Sequence, residues 1–235
     1  MTGGLDPPEL LTVWEQGSAE TPLQRALTLV ASARAQTRAE AAQLDVGTRE
    51  VLLARYLVSV GAAWAVTCAT CPECSVILEV PMDLGELAVL PVHEPGTKFT
   101  IMVDDVSLTF RLPTTADLLG LSGLAEGEAP SRLLDRCVDG PPDGLTAEMA
   151  AAVEAAMEQA APAGAVDVVA SCPECGAEEL FALDVSALLW ADVEARAVRL
   201  MGEIHALARA YGWTEAEVLA LSPRRRASYL ALVEA

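Results

Sequence analysis

The sequence predicts an α+β fold: N-terminal helices, a split pair of β-hairpins with an inserted α/β segment, then a long helix and short C-terminal helices. Three observations carry that expectation. Apolar residues recur at helical intervals at both ends, the middle of the chain alternates as strands do, and one tetrapeptide, Cys71-Pro-Glu-Cys74, returns as Cys172-Pro-Glu-Cys175. The divisions fall at residues 1–63, an N-terminal helical region, 64–184, the split hairpins with their insertion, and 185–235, a C-terminal helical region.

Residues 1–10 are rich in Gly, Pro and acid and carry no helical signal of their own. Thr21-Pro22-Leu23-Gln24 supplies an N-cap hydroxyl, a proline at the first helical position and a glutamine able to reach back, so a helix is expected over 22–36. Leu52, Leu53, Tyr56 and Leu57 predict a second over 48–60. Val66, then the first Cys-Pro-Glu-Cys turn, then Val76, Leu78 and Val80 read as a strand pair. Asp104-Asp105 is a hairpin turn between strands at 99–103 and 106–112. Short helices are expected at 113–119 and 132–138, with solvated loops at 124–130 and 139–144, and an Ala-rich helix at 146–160.

Strand, turn and strand then repeat over 166–183, offset by 101 positions from the first copy, and each copy ends in an aspartate, Asp83 or Asp184, able to cap a helix begun by the next residues. Leu189, Val193, Ala197, Leu200, Ile204, Leu207 and Tyr211 predict the longest helix, over 185–211, ended by Gly212. Thr214 to Glu217 is a capping box, and Ser222-Pro223 starts a last helix.

Composition excludes several functions. The formal charge is −19, from 34 acidic and 15 basic residues, and it repels a phosphate backbone, so a general nucleic-acid binder is not expected. Residues 1–10 lack the basic start and apolar core of a signal peptide, which predicts a cytoplasmic chain with reduced thiols. The most apolar stretch, 51–66, contains Arg55 and Gly61 and falls short of the ~18 residues of a membrane span.

Two C-P-x-C knuckles offer four thiolates, and four thiolates complete a tetrahedral shell for Zn²⁺ with no place left for substrate. Cys71, Cys74, Cys172 and Cys175 are the expected ligands of a structural zinc in a split zinc ribbon. The 97 residues between the knuckles far exceed the ~15–20 of a compact ribbon, so the internal repeat carries more of the argument than the spacing does. Pairing with another subunit, an iron–sulfur cluster and metal-free buried thiols stay open. Cys68 gives a C-x-x-C-x-x-C spacing with the first knuckle, but its counterpart in the second copy is Val169.

Cys137 reads as a small buried hydrophobe, and His93 and His205 as loop and helix histidines without a nucleophile beside them. No nucleotide loop, nucleophile elbow or zinc-protease helix motif occurs, so an enzyme is not expected. Arg224, Arg225 and Arg226 stand in the first turn of a helix, where the dipole disfavours them, and so are expected to meet acid in this chain or on a partner.

The stretch from His205 to Trp213, with Leu221-Ser-Pro-Arg-Arg-Arg226 and Tyr229-Leu230, carries a resemblance. Arg111 to Leu119, Leu133 to Val138, Gly47 to Glu50 and both knuckles fall in the same order. Together they resemble the baseplate hub assembly chaperones and related baseplate proteins of T-even-type contractile phage tails and phage-derived injection systems. Cys68, and Ser75 where a glycine is usual, depart from that pattern. The resemblance implies a non-catalytic structural or assembly protein with hub, spike or wedge proteins as partners, contacted through Trp213, Arg224, Arg225, Arg226 and Tyr229. A zinc-ribbon regulator that binds nucleic acid through the C-terminal helices is the alternative, and a zinc hydrolase a third reading.

Overall fold

The structure, a computed structural model, describes residues 4–124, 127–140 and 144–233. The loops expected at 124–130 and 139–144 lie partly outside them. The fold is α+β, as expected, with antiparallel strands in three small sheets among the described residues.

The chain opens with a helix absent from the sequence expectation, α1 (Pro7–Ser18). Asp6 and Glu9 form its capping box, with the Glu9 N–H donating to Asp6 Oδ1 at 2.9 Å. The two prolines stand at N1 and N2, where a missing N–H costs nothing. At the other end Gly17 is required by close approach: a Cβ there would lie 2.3 Å from the Trp190 ring. In α2 (Pro22–Arg34) the Gln24 side chain reaches back to the Thr21 N–H at 3.0 Å, the expected cap. A five-residue α3 (Arg38–Ala42) comes next on a Thr37/Glu40 capping box. α4 (Val46–Ser59) begins two residues earlier than expected because Asp45, accepting from the Thr48 N–H at 2.8 Å, is its cap.

The first hairpin pairs β1 (Trp64–Thr70) with β2 (Ile77–Asp83), from Trp64↔Asp83 to Thr70↔Ile77. Asp83 caps the short α5 (Leu84–Ala88). In the insertion, β3 (Lys98–Val103) and β4 (Val106–Arg111) turn at Asp104-Asp105. α6 (Thr115–Leu119) and α7 (Ala129–Cys137) come after them, and β5 (Val138–Asp139) pairs with β4 before α8 (Ala147–Ala160). The second hairpin pairs β6 (Asp167–Ser171) with β7 (Glu178–Ala182). α9 (Val185–Tyr211) has the expected bounds, with Asp184 at its N-cap and Gly212 at φ 70° at its C-cap. α10 (Glu215–Leu219) and α11 (Pro223–Val233) close the described chain.

α9 organises the largest core. Its Val185, Leu189, Val193, Ala197, Leu200, Ile204 and Leu207 are buried among Leu10 and Val13 of α1, Leu27 and Val30 of α2 and Leu53 and Leu57 of α4. Each fully buried aliphatic side chain of this kind contributes ~1.5–3 kcal/mol. A buried carboxylate fastens the start of α9: Glu50 on α4 accepts from the Val185 N–H at 3.1 Å and pairs with Arg49 at 2.7 Å. Burial pushes the Glu50 carboxyl up, opposed by the Arg49 charge.

The insertion has its own core around Leu108, Phe110 and Val153. Its clip is a bidentate pair in which Arg111 donates to both oxygens of Asp117, at 2.6 and 2.8 Å. Burial alone would raise the Asp117 carboxyl. Arg111 and the Thr114 N–H and hydroxyl outweigh it and hold the group at about 2.

Candidate metal centre and the C-terminal helices

Both knuckles fold in the same way. After each first cysteine the chain bends back, so that the Ser75 N–H donates to the Cys71 carbonyl at 2.9 Å and the Gly176 N–H to the Cys172 carbonyl at 2.9 Å. The strands close with Cys71 N–H to Val76 O at 2.9 Å and Cys172 N–H to Ala177 O at 2.8 Å. Such a turn needs a left-handed residue after the second cysteine. Gly176 takes φ 74° without strain; Ser75 takes φ 61° against the Cβ penalty.

The two hairpins meet face to face. Leu78 and Val80 pack with Val168, Ala170 and Phe181 beneath the cysteines. All four sulfurs then lie within 4.8 Å of one another, with Cys71 Sγ 3.7 Å from Cys175 and Cys74 Sγ 3.5 Å from Cys172. Those distances are far too long for a disulfide at ~2.05 Å. They match the edge of about 3.8 Å that four ~2.3 Å metal–sulfur bonds give a tetrahedron. A polynuclear cluster would hold its thiolates further apart. Among the described residues this is the one group of three or more His, Cys, Asp or Glu able to hold a metal ion.

Backbone donors and neighbouring thiols act unequally on the cysteines. The Cys175 and Glu174 N–H groups bring Cys172 down to about 7. At Cys74 the Val76 N–H favours the anion, but the hydrogen bond with Cys172, burial and the neighbouring thiols outweigh it and push the group up to about 12. Four adjacent sulfurs cannot all ionise without a cation among them.

The other candidates separate. Cys68 points outward from β1, opposite Glu79, and lies outside the four-sulfur group. Cys137 is buried, and burial pushes its thiol up to about 11, which leaves it inert. His93 is half-buried; its N–H meets Thr48 Oγ1 and its Nε2 donates to the Ala160 carbonyl, both at 2.9 Å, so it ties α4 to α8. His205 is exposed on α9.

The C-terminal residues divide in a way that a run of three arginines conceals. Arg224 and Arg225 are exposed, whereas Arg226 turns inward and its Nε donates to Glu203 Oε2 at 2.6 Å. Trp213 and Tyr229 are half-buried against each other, ring centroids 4.9 Å apart, with Tyr211 stacked on Trp213 at 4.6 Å. Trp213 and Tyr229 hold α11 onto the end of α9.

Fold and site therefore define an α+β chain that carries a four-cysteine cluster able to bind a metal ion. No protein-family model, curated protein or solved structure matches the chain. Among the described residues no helix is long and apolar enough to cross a membrane.

Proposed function

We propose that the chain is a non-catalytic, zinc-binding structural or assembly protein of a contractile-tail or injection-system baseplate. The observation that carries the proposal is the four-sulfur group, which brings together hairpins 97 residues apart; four thiolates around one ion would leave no coordination position for a substrate. Zinc suits it because all four donors are cysteine sulfurs, two pairs of them at the spacing of a tetrahedral edge, and binding there contributes to folding free energy. The baseplate assignment rests on the resemblance of residues 205–230, 111–119, 133–138 and both knuckles.

Two further features fit a part that docks. Trp64, Val66 and Ile77 on the first hairpin and Val169 and Leu180 on the second are exposed on outward strand faces. Lone exposed hydrophobics are ordinary, whereas contiguous apolar patches mark interaction sites. The acidic surface favours basic partner surfaces, with the exposed Arg224 and Arg225 a local exception.

Three measurements test the proposal. Elemental analysis of the purified chain should find one zinc, and the cobalt-substituted protein should show four sulfur ligands and no exchangeable water; iron or an open position overturns the zinc assignment. Co-expression with the hub, spike and wedge proteins encoded beside it should yield a stable complex. If no such genes lie nearby and no such protein is retained, the baseplate reading fails.

A further inference from the structure

Arg226 has a second arm. It forms part of the wall of a cavity of about 250 Å³ between the start of α1, the later turns of α9 and the start of α11. Arg196, Arg199, Glu203 and Arg226 supply the polar wall; Leu5 and Leu200 are among its apolar lining. Three guanidinium groups thus face one carboxylate, in a chain of net charge −19.

The arginines are incompletely paired. The Arg226 side chain is 9% exposed and its Nε is bound to Glu203, yet its Nη1 is buried without a hydrogen-bond partner among the described residues. A buried guanidinium N–H left unpaired is costly, and native proteins rarely leave one so. Arg199 makes no ion pair or hydrogen bond among the described residues. Arg196 reaches Asp192 at 3.2 Å and the Leu5 carbonyl at 3.4 Å, both long contacts. The nearest acids on α1, Asp6 and Glu9, are engaged with each other's backbone N–H in the capping box. The positive end of α11 adds to the field at the cavity rim.

We propose that this cavity is a carboxylate-binding site that receives an apolar residue bearing a free carboxylate, of the kind a partner protein's C-terminal leucine presents. The planar fork of arginine fits a carboxylate in two-point contact, with the exposed Arg199 guanidinium as the donor and Arg196 beside it. The leucine wall accepts the aliphatic part. At about 250 Å³ the cavity is smaller than the ~300–1,000 Å³ typical of pockets for whole small molecules, so it suits one side chain. The site stands whether or not the partner belongs to a baseplate.

N-acetyl-leucine, N-acetyl-leucinamide and inorganic phosphate separate the outcomes. N-acetyl-leucine should raise the Tm of the full chain and bind with a Kd of about 1–10 mM by calorimetry, a range that weak single-group contacts reach. The amide, which lacks the charge, should do neither. Arg199→Ala removes an exposed side chain, so it should fold as the wild type and weaken binding about tenfold, the loss of one charged hydrogen bond. Arg199→Lys should keep the charge and lose most of the response, because an ammonium cannot fork. The proposal is overturned by an equal response to the amide, by undiminished binding in Arg199→Ala, by a response to phosphate alone, or by no response up to roughly 50 mM, well beyond that Kd range.

Discussion

Both hairpins close their Cys-Pro-Glu-Cys turn with the same backbone hydrogen bonds, yet the first has seven-residue strands leading to the five-residue α5, and the second five-residue strands leading to the 27-residue α9. The shared part is the minimum that presents two thiolates. The differences lie in what each hairpin supports: the first rests a short helix on α4, whereas the second launches the element around which the largest core is built. Duplicated sequence thus gives local symmetry at the sulfurs and at the capping aspartates Asp83 and Asp184, and little beyond them.

The strongest challenge to that symmetry is to remove one ligand from each copy. Cys71→Ser and Cys172→Ser should each reduce zinc from one per chain to nearly none, because neither hairpin can complete a shell alone. Zinc retained in both variants, measured by elemental analysis, breaks the shared site.

A smaller effect tests whether the insertion dictates how the hairpins meet. Asp117→Asn should cost ~1–3 kcal/mol by urea unfolding, through loss of the charged half of the Arg111 clip, while zinc content stays at one per chain. The Asp117 carboxyl, at about 2, lies below the unfolded value of ~3.9, so its contribution is full above about pH 4 and vanishes as pH falls through about 2. Wild type and variant should therefore differ most above pH 4 and converge near pH 2.

The caps come next. Asp184→Ala should cost ~1 kcal/mol, since Asp184 accepts from the Ala187 N–H at 2.9 Å at the head of α9. Asp83→Ala should cost less than half of that, because it caps only α5; equal losses would mean the two hairpins are equivalent supports. The most local test is an exchange at the turn itself. Gly176→Ala should destabilise by ~1 kcal/mol and Ser75→Gly should stabilise by about the same or less, both residues being left-handed. Matching signs for the two substitutions would show that the turns are not alike.

Much of this fold is legible in particular residues. The bounds of α9 come from a seven-member apolar series between Asp184 and Gly212, and the cysteine group from aligning the chain with itself. α1 is obscured because Pro7-Pro8 in a Gly-rich, acidic start reads as loop, although Asp6-x-x-Glu9 is the signal that finds it. Thr37-x-x-Glu40 is the same kind of signal for α3, but five residues are too few to display a period, and α5 is equally short. The arginine cavity has no linear signature. Arg196 and Arg199 meet Arg226 only after α11 folds back on α9, and ~100° of rotation per residue sends Arg226 inward while Arg224 and Arg225 stay in water.

The distance along the chain between the two knuckles has a consequence for synthesis. At about 5–20 residues per second, the first knuckle leaves the ribosome roughly 5–20 s before the second exists. Over that interval Cys71 and Cys74 are half a binding site, and α1, α2 and α4 lack the α9 surface that covers them. Completion of the four-cysteine group and burial of the N-terminal helices therefore await the same late stretch of polypeptide, and a nascent chain stalled before Cys172 has neither.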